Sequence, residues 1–302
     1  MVRAAIRAHH RCMPMNTSRV TAGRSAQQGS RPVTGYAYLD AVRPGTVLAM
    51  AHRGGALHPD LSGAENTMHA FRHAVDLGYR YLETDVHATS DGVLLAFHDA
   101  ALDRVTDHIG LVADHTAEQV ALARIAEVHA VPTMAELLAA FPDCRFNIDL
   151  KSTTAVTPLV ELLHRSGAHD RVCVGSFSGR RLNAFRRVTA GRVATAGTPA
   201  EVAAMRFSPV QARRRAGVMQ VPWRHKRRRI TIATSAFVRR AHRAGMHVHV
   251  WTGAENSQWV SIDDARSMHT LLDMGVDGLI TDRTDVLKDV LVRRGQWMEA
   301  TP

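Results

Sequence analysis

The chain has 302 residues, of which 45% are hydrophobic and 22% are charged, and its formal net charge is +10 at pH 7. That length can bury a large core, and the composition is typical of a globular protein, which excludes a disordered or fibrous chain. The positive charge comes from residues 1–32 and 206–229, two stretches with arginine or lysine and no acid, so the rest of the chain is mildly acidic. No nucleic-acid partner is expected, because these arginine runs come without a recognisable reading motif.

Two regions of unusual composition frame the predicted domain organisation. Residues 1–32 are predicted to form a disordered basic extension, and residues 33–302 a single folded domain that contains the arginine-rich segment 206–229. Within this segment, the basic runs at 213–215 and 226–229 are expected to form a solvated loop. Weak contact with an anionic membrane surface is the alternative role for these runs.

Cysteine usage and hydropathy indicate the compartment. Cys12, Cys144 and Cys173 are an odd number of cysteines without metal-ligand spacing, which argues against a disulfide framework and against a zinc site. No apolar run reaches the roughly 18 residues that a membrane span needs, and the first residues lack the apolar region of a secretory signal. These features predict a cytoplasmic protein with reduced thiols.

From about residue 47 the chain alternates short apolar runs with stretches of helical periodicity, which is the pattern of repeated βα units around a parallel sheet. Strands are predicted at residues 47–51, 81–86, 94–97, 146–150, 172–175, 193–196, 218–221, 247–251 and 278–281. Helices are predicted at residues 65–77, 133–141, 155–166, 178–188, 198–205, 233–244, 261–274 and 284–294.

The third predicted strand is one more than a barrel needs. Asp91-Gly92 is a strong hairpin signal between the second and third strands, so residues 94–97 are predicted to pair antiparallel with the second strand. This leaves eight parallel strands, and the predicted fold is α/β, a TIM-type (β/α)8 barrel with a β-hairpin after the second strand. The hairpin would bring His98 opposite residues 83–85, near the strand ends where the active sites of such barrels lie.

Glu83 and Asp85 are candidate metal ligands. Residues i and i+2 of a strand point to the same face, so both carboxylates would lie side by side in the barrel mouth. Two buried, unpaired carboxylates repel each other and are costly to desolvate, and a divalent cation relieves both costs. An all-oxygen site suits Mg²⁺ or Ca²⁺ better than zinc. The alternative is that both side chains face outward and pair with Arg80 or a helix terminus.

Two histidines and an arginine complete a candidate phosphate site. The ordinary pKa of histidine is near neutrality, which suits His52 and His98 to act as general acid and general base in a displacement at phosphorus. A single histidine among the 18 of this chain is more often structural, and it is the nearby carboxylates that distinguish these two. Arg53 is a planar donor that can hold a phosphate, with a surface ion pair as the alternative.

Asp149 and Lys151 repeat the i, i+2 spacing at the end of another predicted strand. By this geometry Asp149 could complete the metal shell and Lys151 could neutralise a phosphoryl oxygen. Taken without the other motifs, the two residues would be an ordinary salt-bridged pair.

The order and spacing of these motifs resemble those of the glycerophosphodiester phosphodiesterase family. The resemblance covers roughly residues 47–290, nearly the whole folded part of the chain. It is carried by Ala51-His52-Arg53-Gly54-Gly55, Glu65-Asn66-Thr67, Leu82-Glu83-Thr84-Asp85-Val86, Asp91-Gly92, Phe97-His98-Asp99, Leu102-Asp103-Arg104, Val131-Pro132-Thr133, Val250-Trp251-Thr252 and Gly275-Val276-Asp277-Gly278-Leu279-Ile280-Thr281-Asp282.

The resemblance implies an enzyme that hydrolyses a small-molecule glycerophosphodiester to glycerol 3-phosphate and an alcohol. It implies a divalent cation, Mg²⁺ or Ca²⁺, held by Glu83, Asp85 and Asp149, with Glu65 as a further member of the metal shell. It assigns the acid–base pair to His52 and His98, phosphate contacts to Arg53 and Lys151, and a substrate-flanking aromatic role to Trp251.

Two features depart from the family pattern. The position of Asp149 is usually glutamate in this family, and the side chain of aspartate is shorter by one methylene. The arginine-rich segment is not a family hallmark, and it is expected either to shape the substrate mouth or to contact an anionic lipid.

Two other classes of function fit parts of the sequence. The first is a different hydrolysis on the same scaffold, either lysophospholipase D-like action on lipid-tailed phosphodiesters or phospholipase C chemistry. The second is a non-catalytic barrel that binds a phosphorylated ligand, since a fold does not guarantee an activity. The presence of both histidines and three carboxylates favours an enzyme over a binding protein.

Overall fold

The computed structural model describes residues 31–207, 216–228, 230–253 and 257–298. Residues 1–30 of the predicted basic extension lie outside the described residues, as do residues 208–215 and 229 of the arginine-rich segment. The strands are β1 Leu48–His52, β2 Tyr81–Ala88, β3 Leu94–Ala96, β4 Arg124–Ile125, β5 His129–Ala130, β6 Arg145–Leu150, β7 Val172–Gly175, β8 Ala194–Thr195, β9 Val218–Pro222, β10 His247–Trp251 and β11 Gly278–Thr281. The α-helices are α1 Ala37–Asp40, α2 Met68–Asp76, α3 Ala117–Val120, α4 Met134–Ala140, α5 Val156–Ser166, α6 Gly179–Val188, α7 Pro199–Phe207, α8 Ser235–Arg243, α9 Ala265–Asp273 and α10 Thr284–Arg293.

Eight parallel strands form a barrel in the order β8, β7, β6, β2, β1, β11, β10 and β9. The two ends of this order meet where Ala196 and Val218 form a parallel bridge. There the Gly197 N–H donates to the Val218 carbonyl oxygen at 2.8 Å. The predicted TIM-type (β/α)8 barrel is therefore confirmed.

The predicted helices and strands are all present, and the largest differences are at helix starts. Helix α2 begins after Thr67, whose hydroxyl accepts the Ala70 N–H, and not at residue 65. Helix α9 begins after Asp264, whose carboxylate accepts the Ser267 N–H, and not at residue 261. In both cases a capping side chain determines the start of the helix, because it satisfies an N–H group of the first turn that has no partner within the helix.

The predicted hairpin follows β2. Val86 pairs with Ala96 in antiparallel register, and Gly92 in the turn adopts a φ of +83°, which glycine tolerates without steric cost. The Phe97 N–H donates to the carbonyl oxygen of Asp85 at 2.9 Å, so His98 follows directly opposite the carboxylate strand. This confirms the predicted placement of His98.

A short helix that the sequence analysis did not predict closes the N-terminal end of the barrel. Tyr38 and Leu39 of α1 are buried in one cluster with the first residues of several barrel strands, among them Leu48 and Tyr81. The Tyr81 hydroxyl donates to the Tyr38 carbonyl oxygen at 2.8 Å, and the two rings meet edge to face. The described residues thus plug this end, and the open end of the barrel is at the carboxyl ends of its strands.

Most of the core lies between the barrel and its outer helices, and residues 97–131 add a smaller core beside it. This insertion buries its own apolar cluster, which includes Phe97, Leu102 and Ile125. It contains β4, β5 and α3, none of which was predicted. Among the described residues, no helix combines the length and apolar character that crossing a bilayer requires. Cys144 and Cys173 are buried and unpaired.

His249 is a buried histidine that predicts acid sensitivity. Its ring is fully buried against Gly278, and neither ring nitrogen has a hydrogen-bond partner among the described residues. Burial, with a smaller effect from His247, lowers the pKa of His249 to about 3. An unfolded chain would take up a proton near pH 6.5, so this depressed pKa removes stability as the pH falls below that value.

We expect the unfolding free energy of His249→Leu to fall less than that of the wild type as the pH is lowered. Between pH 7.5 and pH 5 the wild-type imidazole should cost about 2 kcal/mol of unfolding free energy, which the leucine variant does not lose. Urea denaturation at the two pH values measures the difference, with His164→Gln on the exposed face of α5 as the control. If the unfolding free energies of wild type and His249→Leu fell by the same amount between the two pH values, the folded protein would accommodate the charged ring.

Candidate active site

The predicted site residues gather at the carboxyl ends of neighbouring strands. His52 ends β1, and parallel pairing places it in register with Glu83 of β2. Asp85 of β2 is in register with Asp149 of β6. Both carboxylates of β2 are buried inside the barrel, while Arg80 donates to backbone carbonyl oxygens, so the alternative of outward-facing carboxylates is wrong.

A lysine lies between two of the carboxylates. The Lys151 Nζ is 2.8 Å from the Asp85 Oδ1 and 2.7 Å from the Asp149 Oδ2. Burial opposes the charge of the lysine, but these two carboxylates hold the pKa of Lys151 above its usual range. The Asp149 Oδ1 is buried and has no hydrogen-bond partner among the described residues.

Glu83 and Asp85 occupy contrasting electrostatic environments. Burial and the neighbouring charge of Asp85 raise the pKa of Glu83 to about 7. Burial would also raise the pKa of Asp85, but Lys151 and Arg53 hold it well below its usual range. The sheet thus holds two adjacent buried carboxylates, of which one is well compensated by cations and the other poorly.

Each of the two predicted catalytic histidines has an aspartate partner. The His52 Nδ1 is 2.6 Å from the Asp282 Oδ1, and its Nε2 is 3.7 Å from the Glu83 Oε2. Burial opposes protonation, but the carboxylates of Asp282 and Glu83 raise the pKa of His52 to about 9. The His98 Nδ1 is 2.5 Å from the Asp99 Oδ1, and burial lowers the pKa of His98.

Two arginines connect the two histidine sides of the mouth. Both oxygens of the Glu65 carboxylate accept from Arg104, at 2.9 and 2.6 Å, and one of them also accepts from Arg53 at 3.2 Å. Arg104 also donates to Asp99 at 2.5 Å. The Arg53 Nε lies 3.3 Å from the Asp85 Oδ2, outside hydrogen-bond geometry, so this pair is an ion pair only.

Gly54 explains why Arg53 can turn into the mouth. Arg53 itself has a φ of +50° and Gly54 a φ of +87°. A β-carbon at position 54 would lie 2.7 Å from the Ala70 β-carbon in α2, so only glycine lets the loop pack this closely on the helix. The close approach of the backbone at Gly54 is therefore to a helix of the barrel.

Aromatic side chains line the other side of the mouth. Trp251 at the end of β10 contacts Phe177 and Trp259 edge to face, with ring centroids 5.7 and 5.9 Å apart. The Lys151 Nζ lies 5.8 Å from the Phe177 ring centroid. Eight of the nine predicted site residues are thus linked by direct contacts or through one shared neighbour, and His98 joins them through Asp99 and Arg104.

Comparison with known proteins identifies the family. A model of the Glycerophosphoryl diester phosphodiesterase family matches residues 52–286. The chain belongs to this family. A Mycobacterium tuberculosis protein named Probable glycerophosphodiester phosphodiesterase 2 is 41% identical over 267 residues, covering 86% of this chain and 96% of the relative.

Solved structures of phosphodiesterases share the barrel. The glycerophosphodiester phosphodiesterase from Agrobacterium tumefaciens is 22% identical, with a TM-score of 0.64 over 80% of this chain and 100% of that one. A phosphodiesterase from Oleispira antarctica, solved in complex with the product sn-glycerol-3-phosphate, is 18% identical, with a TM-score of 0.64 over 81% of this chain and 96% of that one. At these identities the likeness demonstrates a common fold.

Asp282 and Arg104 are polar residues of this phosphodiesterase site that were assigned no role from the sequence. Asp282 contacts His52, and Arg104 joins Glu65 to Asp99. Both lie within motifs that carry the family resemblance. Asp282 also directly follows a predicted strand, and the rule that polar residues at strand ends enter the site could have selected it. Arg104 lies in the insertion, where no strand pattern indicates its direction.

Asp282 is expected to act as a positioning residue for His52. Its carboxylate is fixed in turn, because the Asp282 N–H donates to Asp263 at 2.9 Å. Asp282→Asn should lower the pKa of His52 toward the ordinary value and reduce kcat on the order of ten- to hundredfold. Histidine NMR titration, assigned with a His52 variant, measures the pKa, and an unchanged titration would rule out this role.

The described part of the arginine-rich segment adjoins the aromatic side of the mouth. The Lys226 N–H donates to the Gln258 carbonyl oxygen, and the Val260 N–H donates to the Arg224 carbonyl oxygen. Trp259 therefore lies between Trp251 and residues 224–226 of the arginine-rich segment. The solvated loop predicted for residues 213–215 and 226–229 lies partly outside the described residues.

Proposed function

We propose that this phosphodiesterase hydrolyses glycerophosphodiesters to glycerol 3-phosphate and an alcohol, with a divalent cation bound by its carboxylates. The observation that carries the proposal is the arrangement of two aspartate-paired histidines, His52 and His98, around the buried carboxylates of β2. The Oleispira antarctica structure supports the product, because that barrel was solved with sn-glycerol-3-phosphate.

Glu83, Asp85 and Asp149 are the residues that would hold the cation. They offer only oxygen donors, which suits Mg²⁺ or Ca²⁺. The fit is supported by the buried Asp149 Oδ1, which has no hydrogen-bond partner among the described residues, and by the poorly compensated burial of Glu83. When bound, the cation would polarise a phosphoryl oxygen and offset the charge that develops there.

Glu65 has a different environment from these three. Its carboxylate is occupied by Arg53 and Arg104, so it could bind the cation only by giving up part of that pairing. Its role as a further member of the metal shell stays a prediction. In the present arrangement Glu65 orients the two arginines.

The charged side chains around the carboxylates would bind and orient the phosphate. Arg53 and Lys151 are cations on two sides of Asp85, and both are positioned to contact phosphoryl oxygens as negative charge develops. One histidine would remove the proton from the attacking water or from a neighbouring substrate hydroxyl. The other would donate a proton to the alcohol oxygen as its bond to phosphorus breaks. Trp251 would flank the substrate next to Lys151.

The test is release of glycerol 3-phosphate from glycerophosphocholine and glycerophosphoethanolamine by the purified protein. We expect release in the presence of Mg²⁺ or Ca²⁺, loss of release with a chelator, and recovery when the metal is restored. A preparation of the Asp85→Asn variant controls for contaminating phosphodiesterases. The proposal would be contradicted by release that is equal in wild type and variant, or by no release with either metal.

A lipid-tailed phosphodiester is the second candidate substrate. It is favoured by the aromatic edge of the mouth, where Phe177 is 63% exposed, and by the basic residues 224–226 beside Trp259. These groups could receive an acyl chain and an anionic headgroup region, as a lysophospholipase D requires. Equal turnover of lysophosphatidylcholine and glycerophosphocholine would favour this reading, and binding to vesicles with and without anionic lipid would test the membrane contact.

A further inference from the structure

A second group of potential metal ligands lies outside the proposed catalytic centre. His58 and Asp60 belong to the loop between β1 and α2, and His73 lies in the last turn of α2. One donor atom from each of these three side chains lies within 4.8 Å of the other two. The group combines two imidazoles with a carboxylate, whereas the proposed catalytic ligands are all carboxylates.

The spacing of these donor atoms is that of ligands around a common cation. The Asp60 Oδ2 is 3.8 Å from the His58 Nδ1 and 3.6 Å from the His73 Nε2. Both separations exceed the roughly 3.2 Å limit of a good hydrogen bond between nitrogen and oxygen. Ligands about 2.1 Å from a tetrahedral zinc ion are about 3.4 Å apart, so small side-chain movements would give this geometry.

The loop holds two of the ligands in place without help from a metal. The His58 N–H donates to the Gly55 carbonyl oxygen at 2.9 Å. The Asp60 N–H donates to the His58 Nδ1 at 3.1 Å, and a cation bound at this nitrogen would take the place of that hydrogen bond, because an imidazole nitrogen has a single lone pair. The side chain of Leu61 is buried directly after them. A loop fixed in this way loses little conformational freedom when its side chains bind an ion.

The two imidazoles face each other across the loop and the helix. Their ring centroids are 4.3 Å apart and the rings are tilted by 60°. His58 is only 9% exposed. A neutral imidazole is the form that binds a metal, and the carbonyl end of a helix, where His73 lies, favours a cation.

We propose that His58, Asp60 and His73 form a second metal site, which binds a zinc-like divalent cation and ties the β1–α2 loop to α2. Imidazole nitrogens with one carboxylate suit Zn²⁺, whereas Mg²⁺ and Ca²⁺ prefer oxygen donors. The same loop runs from Arg53 to Glu65. Zinc bound here would stabilise the segment that carries these two site residues.

The test is zinc binding by protein prepared without a polyhistidine tag. Calorimetric titration with ZnCl₂ in a Glu83→Gln/Asp85→Asn background, which removes two of the three proposed catalytic ligands, should show one saturable site. His58→Gln or His73→Gln in that background should weaken the affinity at least about tenfold, since each removes one of three protein ligands. His69→Gln, on the same helix and stacked on His129, is the matched control and should retain binding.

Thermal unfolding gives a second readout that does not depend on activity. Zinc should raise the Tm of the wild type and of His69→Gln, and should leave the Tm of His73→Gln unchanged, because a ligand stabilises the state that binds it. Tm values in chelator show whether each variant is folded. The proposal is overturned by no saturable zinc binding, by His58→Gln and His73→Gln variants that bind zinc as tightly as their parent protein, or by loss of binding in His69→Gln.

Discussion

Replacing His52 or His98 by alanine is expected to lower kcat for glycerophosphodiester hydrolysis by roughly 10²- to 10⁴-fold, the usual contribution of a general acid or base. Both rings lie at the open end of the barrel, and each is held by one aspartate at 2.6 and 2.5 Å. Neither belongs to the apolar clusters that form the core, so both variants should fold with a Tm close to that of the wild type.

The two histidines should respond differently to the leaving group. His52 lies between the carboxylates of Asp282 and Glu83, which favour its charged form, whereas Asp99, which contacts the His98 ring, is shared with Arg104. We therefore expect His52 to supply the proton to the departing alcohol. A diester with a p-nitrophenol leaving group needs no such proton, so it should restore most of the activity of His52→Ala and little of that of His98→Ala.

His164→Ala on the exposed face of α5 is the control for both variants, because it removes a solvent-exposed histidine of an outer helix. Wild-type kcat in a folded His52→Ala or His98→Ala variant would remove that residue from the mechanism. Rescue of His98→Ala in place of His52→Ala would reverse the assignment of acid and base.

The fold was predictable because its signals are local and repeated. Eight apolar runs separated by amphipathic stretches define a barrel, and the Asp91-Gly92 turn distinguishes the remaining run, the third in chain order, as a hairpin strand. Helix α1 gave no such signal, since four residues are too few for a helical period. Its burial depends on the closed end of the barrel, where Tyr38 meets Tyr81. That contact joins parts of the chain whose proximity only the assembled barrel creates.

In the site, too, the residues with a local signal were predictable, and the contacts between distant parts of the chain were not. Glu83 and Asp85 were predictable because i, i+2 spacing on a strand is a fixed geometric relation. The pairing of His52 with Asp282 joins the first and last barrel strands, which become neighbours only when the ring closes. Arg104 reaches the mouth from the insertion, whose fold follows from a small core of its own. The position of Lys151 between Asp85 and Asp149 likewise follows from the register of β2 and β6.

Glu83→Gln is expected to separate activity from stability. Glutamine keeps an oxygen that can accept the Arg53 N–H, which the Glu83 Oε2 accepts at 3.2 Å, but it removes a negative charge from the proposed cation site. Loss of a metal ligand should lower kcat by roughly 10³-fold or more at saturating Mg²⁺ or Ca²⁺.

The stability of the metal-free protein should change in the opposite sense. Burial and the charge of Asp85 raise the pKa of Glu83 to about 7, so without a cation the wild type loses stability as the pH rises from the unfolded value near 4.5 through 7. Glutamine does not ionise and avoids this loss. In chelator at pH 8, Glu83→Gln should therefore unfold at a Tm equal to or above that of the wild type.

Circular dichroism melts in chelator and steady-state kinetics with added metal measure the two effects on the same preparations. Leu82→Ala, at the neighbouring position of β2 that faces the outer helices, is the matched control, and it should lower the Tm because it leaves a cavity in the core. A fall in Tm for Glu83→Gln as large as that for Leu82→Ala would show that Glu83 stabilises the barrel. An unchanged or higher Tm with lost activity would mean that the sheet keeps this poorly compensated carboxylate for the reaction.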